Sequence, residues 1–443
     1  MALTIRAALA LIVAGSLMPA PGARAAEAVV ADQAWVEMAH GGGSVVRLLT
    51  GAAACPSLAV DGRQAAMVER AAPAMLPSRT NKAKVDTPLA FPGRVCELAL
   101  PRTTRSAAYA GQLLPLPRAR IERIVVIGDT GCRLKAADDA WQGCNDPAKW
   151  PFAAIAARAA ALHPDLVLHV GDYLYRENAC PAGHADCTDA VWGYGEASWR
   201  ADFLTPAAPL LAAAPWVTVR GNHEECARAG EGWWRLLDPH PMAPGQDCRD
   251  PAHDVAGDRG APYAVDLGGG ARTAVADLVG LANADKHDDV LNAAYRADFA
   301  TIAALLRGSR FGIVTAHYPL NPVSWAKDAA EGVVIGSQPV KALGTLPALH
   351  ARAMIAGHVH EFQLARFTDR PTQVIAGFSG TAEDPPRSPA TLAQVRGKPG
   401  AEPLIGLTTV QDTFGFCVLE RNGSAWTLTA YRADGTVLGR FRL

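Results

Sequence analysis

Five short apolar runs in this 443-residue chain each stop at a residue able to bind a cation or carry a proton. Ile124-Val125-Val126-Ile127 leads into Gly128-Asp129-Thr130-Gly131, and Leu166-Val167-Leu168-His169-Val170 into Gly171-Asp172-Tyr173-Leu174-Tyr175. Trp216-Val217-Thr218-Val219-Arg220 leads into Gly221-Asn222-His223-Glu224, Gly312-Ile313-Val314-Thr315-Ala316 into His317, and Ala353-Met354-Ile355-Ala356 into Gly357-His358-Val359-His360. Carboxylate, amide and imidazole donors in this mixture suit two metal ions held a few ångströms apart, about 3.5–4 Å in two-metal hydrolases. A carboxylate standing between two cations would offset their repulsion.

These residues meet only if the runs are strands of one kind. A β-branched or apolar run ending at Gly-Asp reads as a buried parallel strand that delivers its carboxylate to the carboxyl edge of a sheet, where ligands collect in open α/β folds. Between the first two runs, Asp146-Pro147 offers a helix start, and Phe152, Ile155, Ala156, Ala159 and Leu162 keep one face apolar as far as His163-Pro164. A strand, helix, strand unit of this kind makes the two strands parallel with a right-handed crossover, so Asp129 and Asp172 emerge on the same edge. Beyond His223 come Trp233-Trp234, a Pro-rich loop from Pro239 to Pro251, an expected strand from Arg272 to Leu278 and an expected helix from about Ala293 to Leu306. Closing strands are expected at Thr372 to Ala376, Gly415 to Arg421, Ala425 to Tyr431 and Val437 to Arg442. Upstream, residues 26–118 alternate short apolar stretches with turn residues, which argues for a small N-terminal β domain, and Leu114 to Arg120 reads as the linker into a catalytic domain at 119–443.

The ordered set GD, GD, GNH, H, GHxH resembles calcineurin-like metallophosphoesterases, and its finer form GDxG, GDxxY, GNHE, VxxH, GHxH is similar to the purple acid phosphatases. The resemblance covers roughly residues 121 to 380. It implies an α/β fold of two facing mixed β-sheets flanked by helices, and hydrolysis of phosphate monoesters at a dinuclear metal centre with metal-bound hydroxide as the nucleophile. Asp172 matches the bridging carboxylate. Asp129, Tyr175 and His360 match the ligands of a first metal, a hard, anionic set that favours iron. Asn222, His317 and His358 match those of a second, divalent metal, namely zinc, manganese or iron. His223 matches a residue facing the leaving group, as general acid. The substrate would be a phosphorylated small molecule or peptide. Rival readings are a phosphodiesterase or nucleotidase on the same scaffold, and a metal-binding protein without turnover.

The N-terminus has a basic start, an apolar run from Ala7 to Met18 and the small residues of Ala23-Arg24-Ala25, the pattern of a secretory signal peptide over residues 1–25. No later apolar run reaches the ~20 residues a membrane span needs, and a secreted or periplasmic location follows. The formal net charge of −1 gives no sign of a nucleic-acid binder. Nine cysteines in an exported chain should mostly pair. Proximity in sequence suggests Cys55 with Cys96, Cys132 with Cys144, Cys180 with Cys187 and Cys226 with Cys248, which leaves Cys417 single in a run of bulky apolar neighbours. His169, inside a strand, reads as a core histidine or as one that orients a ligand. Arg133 and Lys135, just past Gly131, are either phosphate contacts or solvated charges.

Overall fold

The buried runs alternate between two faces, and that alternation builds the layers. In the computed structural model, Val125 and Ile127 face one core while Ile124 and Val126 face another, and Val167 is likewise opposed to Leu166 and Leu168. A strand buried on both sides must lie in the middle of a layered structure. The structure describes residues 32–443 apart from 82, 244–247, 283–288, 326–332, 338, 341–347 and 383–389. The expected leader lies outside the described residues.

Ten strands form the first sheet, in the order Val437–Arg442, Ala425–Arg432, Gly415–Asn422, Arg123–Ile127, Leu166–His169, Trp216–Thr218, Gln33–Met38, Ser44–Thr50, Arg94–Leu100 and Val68–Ala71. Seven form the second, in the order Tyr263–Gly268, Ala271–Ala276, Phe311–Ala316, Ala353–Ala356, Thr372–Ala376, Phe362–Phe367 and Leu404–Val410. Both sheets are mixed. Arg123–Ile127, Leu166–His169 and Trp216–Thr218 run parallel in the first, as do Ala271–Ala276, Phe311–Ala316, Ala353–Ala356 and Thr372–Ala376 in the second. The sheets face each other across a core that joins Ile124, Val126, Leu168 and Leu419 of one to Val265, Ile313, Ile355 and Val374 of the other. The outer face of the first sheet is covered by the helix Phe152–Ala160 through Phe152, Ile155, Ala156 and Ala159. The helix Asp289–Leu306 covers the second with Tyr295, Phe299, Ile302 and Leu306. This is the expected sandwich of two facing mixed sheets with helices outside.

The crossover helix begins later than Asp146-Pro147 suggests. The Asp146 carbonyl accepts from the Lys149 and Trp150 N–H groups at 3.0 and 2.8 Å, so Pro147 sits in a turn. The helix starts after Pro151, which has no N–H to leave unsatisfied. His163, in the left-handed region at φ 50, closes the far end ahead of Pro164. Trp233 and Trp234 lie in the helix Gly230–Leu236 and are buried, so they are core residues.

The N-terminal β region splits between structures of its own and the catalytic sheet. Gln33–Met38 pairs in parallel with Trp216–Thr218 at Glu37 and Trp216, and the strands that follow extend the same sheet. Two buried arginines of this region reach across. Arg47 donates to the carbonyls of Leu236 and Asp238, and Arg70 to those of Trp234, Arg235, Asp238 and His240. Together they satisfy the carbonyls left open at the end of the helix Gly230–Leu236.

The four expected disulfides are present, Cys55–Cys96, Cys132–Cys144, Cys180–Cys187 and Cys226–Cys248. Cys417 is a free, buried thiol paired in register with Val126, and burial pushes its pKa up and leaves it unreactive. Four disulfides fit an oxidising, extracellular environment. Among the described residues no helix is long and apolar enough to cross a membrane.

Candidate metal centre

The parallel strands of both sheets end at the same edge of the sandwich, and there all eight expected site residues come together. Asp129 and Asp172 leave their strands in the left-handed backbone region, at φ 53 and 58, as does His358 at φ 72. A non-glycine residue held there costs about 1–3 kcal/mol, and such strain gathers at functional sites. The strained turns aim the donors inward. Gly221 is needed because a Cβ there would collide with the Asp172 carboxylate, and Gly171, at φ +98, because one would press on the His317 ring.

The donors form two groups that share Asp172. In the first, the Tyr175 hydroxyl lies 3.0 Å from Asp129 Oδ1, 2.7 Å from Asp172 Oδ2 and 2.9 Å from His360 Nε2, and His360 Nε2 is 3.4 Å from Asp129 Oδ1. In the second, His317 Nε2 lies 3.2 Å from Asp172 Oδ2 and 3.0 Å from Asn222 Oδ1, and His358 Nδ1 lies 2.9 Å from the same amide oxygen. The candidate ligand atoms of Asp172, His317 and His358 all fall within 4.8 Å of one another. Backbone carbonyls fix the tautomers. His317 Nδ1 donates to Val170 at 2.8 Å and His360 Nδ1 to Ala382 at 3.1 Å, which turns both Nε2 lone pairs toward the centre.

The donor chemistry tests whether cations fit. His317 Nε2 faces a carboxylate oxygen and an amide oxygen, neither of which can donate, so only a proton or a cation can reconcile the three. Burial works against an imidazolium at His317, yet the Asp172 and Asp129 charges outweigh it and raise the pKa to about 9. A cation would take the place of that proton. At Tyr175, burial and then the Asp172 and Asp129 charges push the phenol well above its ordinary pKa, while at His358 burial and the neighbouring His317 lower it to about 3. Two groups of mixed oxygen and nitrogen donors sharing one carboxylate fit a dinuclear metal centre.

A further layer of residues holds the donors. Glu224 accepts the backbone N–H groups of Asp172, Tyr173, Leu174 and Gly221 at 2.9–3.2 Å, which ties the Asp172 loop to the Asn222 loop. Burial and the Asp172 charge raise its pKa to about 8. Asp202 accepts from Cys132 N–H at 3.1 Å and Tyr175 N–H at 2.9 Å and pairs with Arg176, so one buried carboxylate straps the two Gly-Asp loops together. His169 orients Thr130: its Nδ1 accepts from Gly171 N–H at 3.2 Å, and its Nε2–H meets Thr130 Oγ1 at 3.0 Å.

His223 meets the ligand groups through its ring face and its backbone, with its ring 3.7 Å from that of Tyr175. Its backbone N–H donates to Asp172 Oδ1 at 2.8 Å, and its Nδ1 lies 3.0 Å from Glu177 Oε1 and 3.2 Å from the Leu174 carbonyl. Both are acceptors, so Nδ1 carries the hydrogen and Nε2 is the atom left for chemistry. Glu177 also pairs with Arg228 and accepts from Tyr194. Burial, then the Arg228 charge, lowers the His223 pKa to about 3 against the opposing pull of Asp172 and Glu177.

Glu177, Arg228 and Asp202 were not singled out by sequence reasoning, because acids and arginines outside a motif look like surface charge. Glu224 stood inside the GNHE motif without an assigned role. Arg133 and Lys135 both meet Asp138, at 2.9 and 2.7 Å, so the two cations share one carboxylate at the site's edge.

The calcineurin-like phosphoesterase family model matches residues 122–362. Among solved structures the chain is similar to a purple acid phosphatase from yellow lupin (Lupinus luteus) seeds, at 16% identity and a TM-score of 0.56, covering 93% of this chain and 74% of that one. It is also similar to PhoD, at 10% identity and a TM-score of 0.50, covering 92% of this chain and 91% of the other. Among curated proteins there is no significant match. At these identities the two structures speak for a shared fold, and the family follows from the model match over more than half of the chain, with every one of its Gly-Asp, Gly-Asn-His and Gly-His-x-His turns delivered to one edge. The chain belongs to the calcineurin-like phosphoesterase family.

Proposed function

We propose that this protein is a secreted or periplasmic phosphomonoesterase of the purple acid phosphatase type, using iron at the Asp129, Tyr175 and His360 group and a divalent zinc, manganese or iron at the Asn222, His317 and His358 group. The observation that carries the reading is the Tyr175 hydroxyl placed between Asp129, Asp172 and His360. Burial and the two carboxylates keep this phenol neutral while no cation is bound, and a hard cation seated among the same donors would take it as an anionic ligand. Two such cations, when bound, would polarise the phosphoryl group and bring the pKa of a water from 15.7 down to about 7, the value known for zinc.

The chain's own residues do the rest. Asp172 lies between the two groups and would offset the charge of the ions they hold. Glu224 and Asp202 hold the loops at fixed spacing. His223 keeps Nδ1–H on Glu177 and Leu174, so its Nε2 is free to give a proton to the departing alkoxide. A phosphate dianion beside it adds charge of the sign that favours the imidazolium.

Two metal ions per chain and faster turnover of a monoester than of a diester with the same leaving group are the expected results. A diester turned over equally fast would replace this reading with the phosphodiesterase one, and a protein with both metals but no turnover on either would leave a binding protein. If iron sits at Tyr175, the purified protein is coloured by tyrosinate-to-iron charge transfer. Tyr175→Phe then loses that visible band while the far-UV circular dichroism is unchanged. A colourless, iron-free, active enzyme would remove the iron assignment.

A further inference from the structure

At the opposite end of the second sheet from the metal centre, the strands Phe311–Ala316 and Ala353–Ala356 each begin just after an arginine, Arg310 and Arg352. These are the two strands whose far ends lead to His317 and His358. At ~3.3 Å per residue the two ends lie roughly 20 Å apart. Arg310 and Arg352 line an open cavity of about 350 Å³ together with Arg307, Ser309 and His350. No carboxylate belongs to the lining, and none of the three guanidinium groups has an acidic partner among the described residues. Ser309 Oγ, shielded from solvent, has no hydrogen-bond partner among the described residues either.

Exposed arginines are usually solvated or paired with a nearby acid. In a chain with a formal net charge of −1, three gathered around one cavity without an acid repel one another, and an anion seated among them relieves that repulsion. The helix Asp289–Leu306 ends here and brings about half a negative charge, too little to balance three guanidiniums. We infer that this cavity is a second oxyanion site, taking a phosphate-sized dianion through Arg307, Arg310 and Arg352. Guanidinium groups match tetrahedral oxyanions through paired N–H donors.

The site is independent of the metal centre, and one experiment separates them. Equilibrium dialysis of the full-length, metal-loaded protein with radiolabelled inorganic phosphate should give two sites per chain. The variant Arg307→Ala/Arg310→Ala/Arg352→Ala should keep one, with its monoesterase activity unchanged, and each single substitution should weaken the second site about twofold to fivefold. A single site in the unaltered protein that the triple variant keeps, or two sites in the triple variant, would overturn the inference. Vesicles of phosphatidic acid in phosphatidylcholine supply the same phosphate on a lipid, and the protein should stay in the supernatant with them. Sedimentation that the triple variant abolishes would overturn the assignment to a free ion and make the cavity a lipid-headgroup site.

Discussion

Asp172→Asn should strip the centre of its metals and lower phosphatase activity by roughly a thousandfold or more, equally on alkyl and aryl phosphates. Its carboxylate is the one donor common to both groups, 2.7 Å from the Tyr175 hydroxyl and 3.2 Å from His317 Nε2. An amide has nearly the same shape and can still accept the His223 N–H, so the loop is kept. What is lost is the charge. At about 4 Å and an effective dielectric of 20, each unit-charge pair is worth about 4 kcal/mol, or roughly three powers of ten in affinity or rate. Metal analysis beside circular dichroism checks the first half of this, and rates on the two substrate classes check the second. Two ions retained with activity within tenfold of the parent would mean that Asp172 does not stand between them.

His223→Ala should behave differently. The imidazole shares no ring nitrogen contact with either ligand group, since Nδ1 is taken by Glu177 and Leu174, so both metals should stay. General-acid help is worth about 10²–10⁴-fold, and the need for it falls as the leaving group becomes more acidic. The variant should therefore lose about that factor on an alkyl phosphate and much less on an aryl phosphate with a good leaving group. His317→Ala and His358→Ala, by contrast, should lose metal and fall alike on both. Equal losses for His223→Ala with metals in place would leave His223 as an orienting or phosphate-holding residue. Because its pKa in the free protein is lowered to about 3 by burial and Arg228, the proton it gives must arrive with acid pH or with the charge of the substrate.

How much of this was legible in the sequence depended on range. Asp129, Asp172, Asn222, His317, His358 and His360 each follow directly from a strand that announces itself, so strand ends plus the parallel-crossover rule were enough to bring them to one edge. The disulfides joined cysteines near in sequence, and proximity found them. Asp202 and Glu177 gave no signal, because a lone acid outside any motif becomes a strap or an imidazole partner only once remote loops close around it. The start of the crossover helix slipped from Pro147 to Pro151 because two prolines competed and local turn bonding from Asp146 decided between them. The N-terminal strands were readable as strands, but their place was not, since Glu37 meets Trp216 through a single parallel pairing that no local pattern encodes.

That remote pairing governs how the chain reaches its structure. As the protein is made, the strand Gln33–Met38 appears early and finds its parallel neighbour only when Trp216 has emerged. Arg123–Ile127 likewise stays uncovered on one side until Cys417 and its strand arrive near the C-terminus. The disulfides cannot substitute for these pairings, because they close loops of only 7 to 41 residues. A chain with all four bridges formed can therefore still have its central sheet open on both flanks, with apolar edges exposed. High contact order of this kind makes folding slow and intermediates prone to aggregate. For this protein the vulnerable interval lies between oxidation and the docking of the last strands, and correct bridges are a poor sign that the sheet has closed.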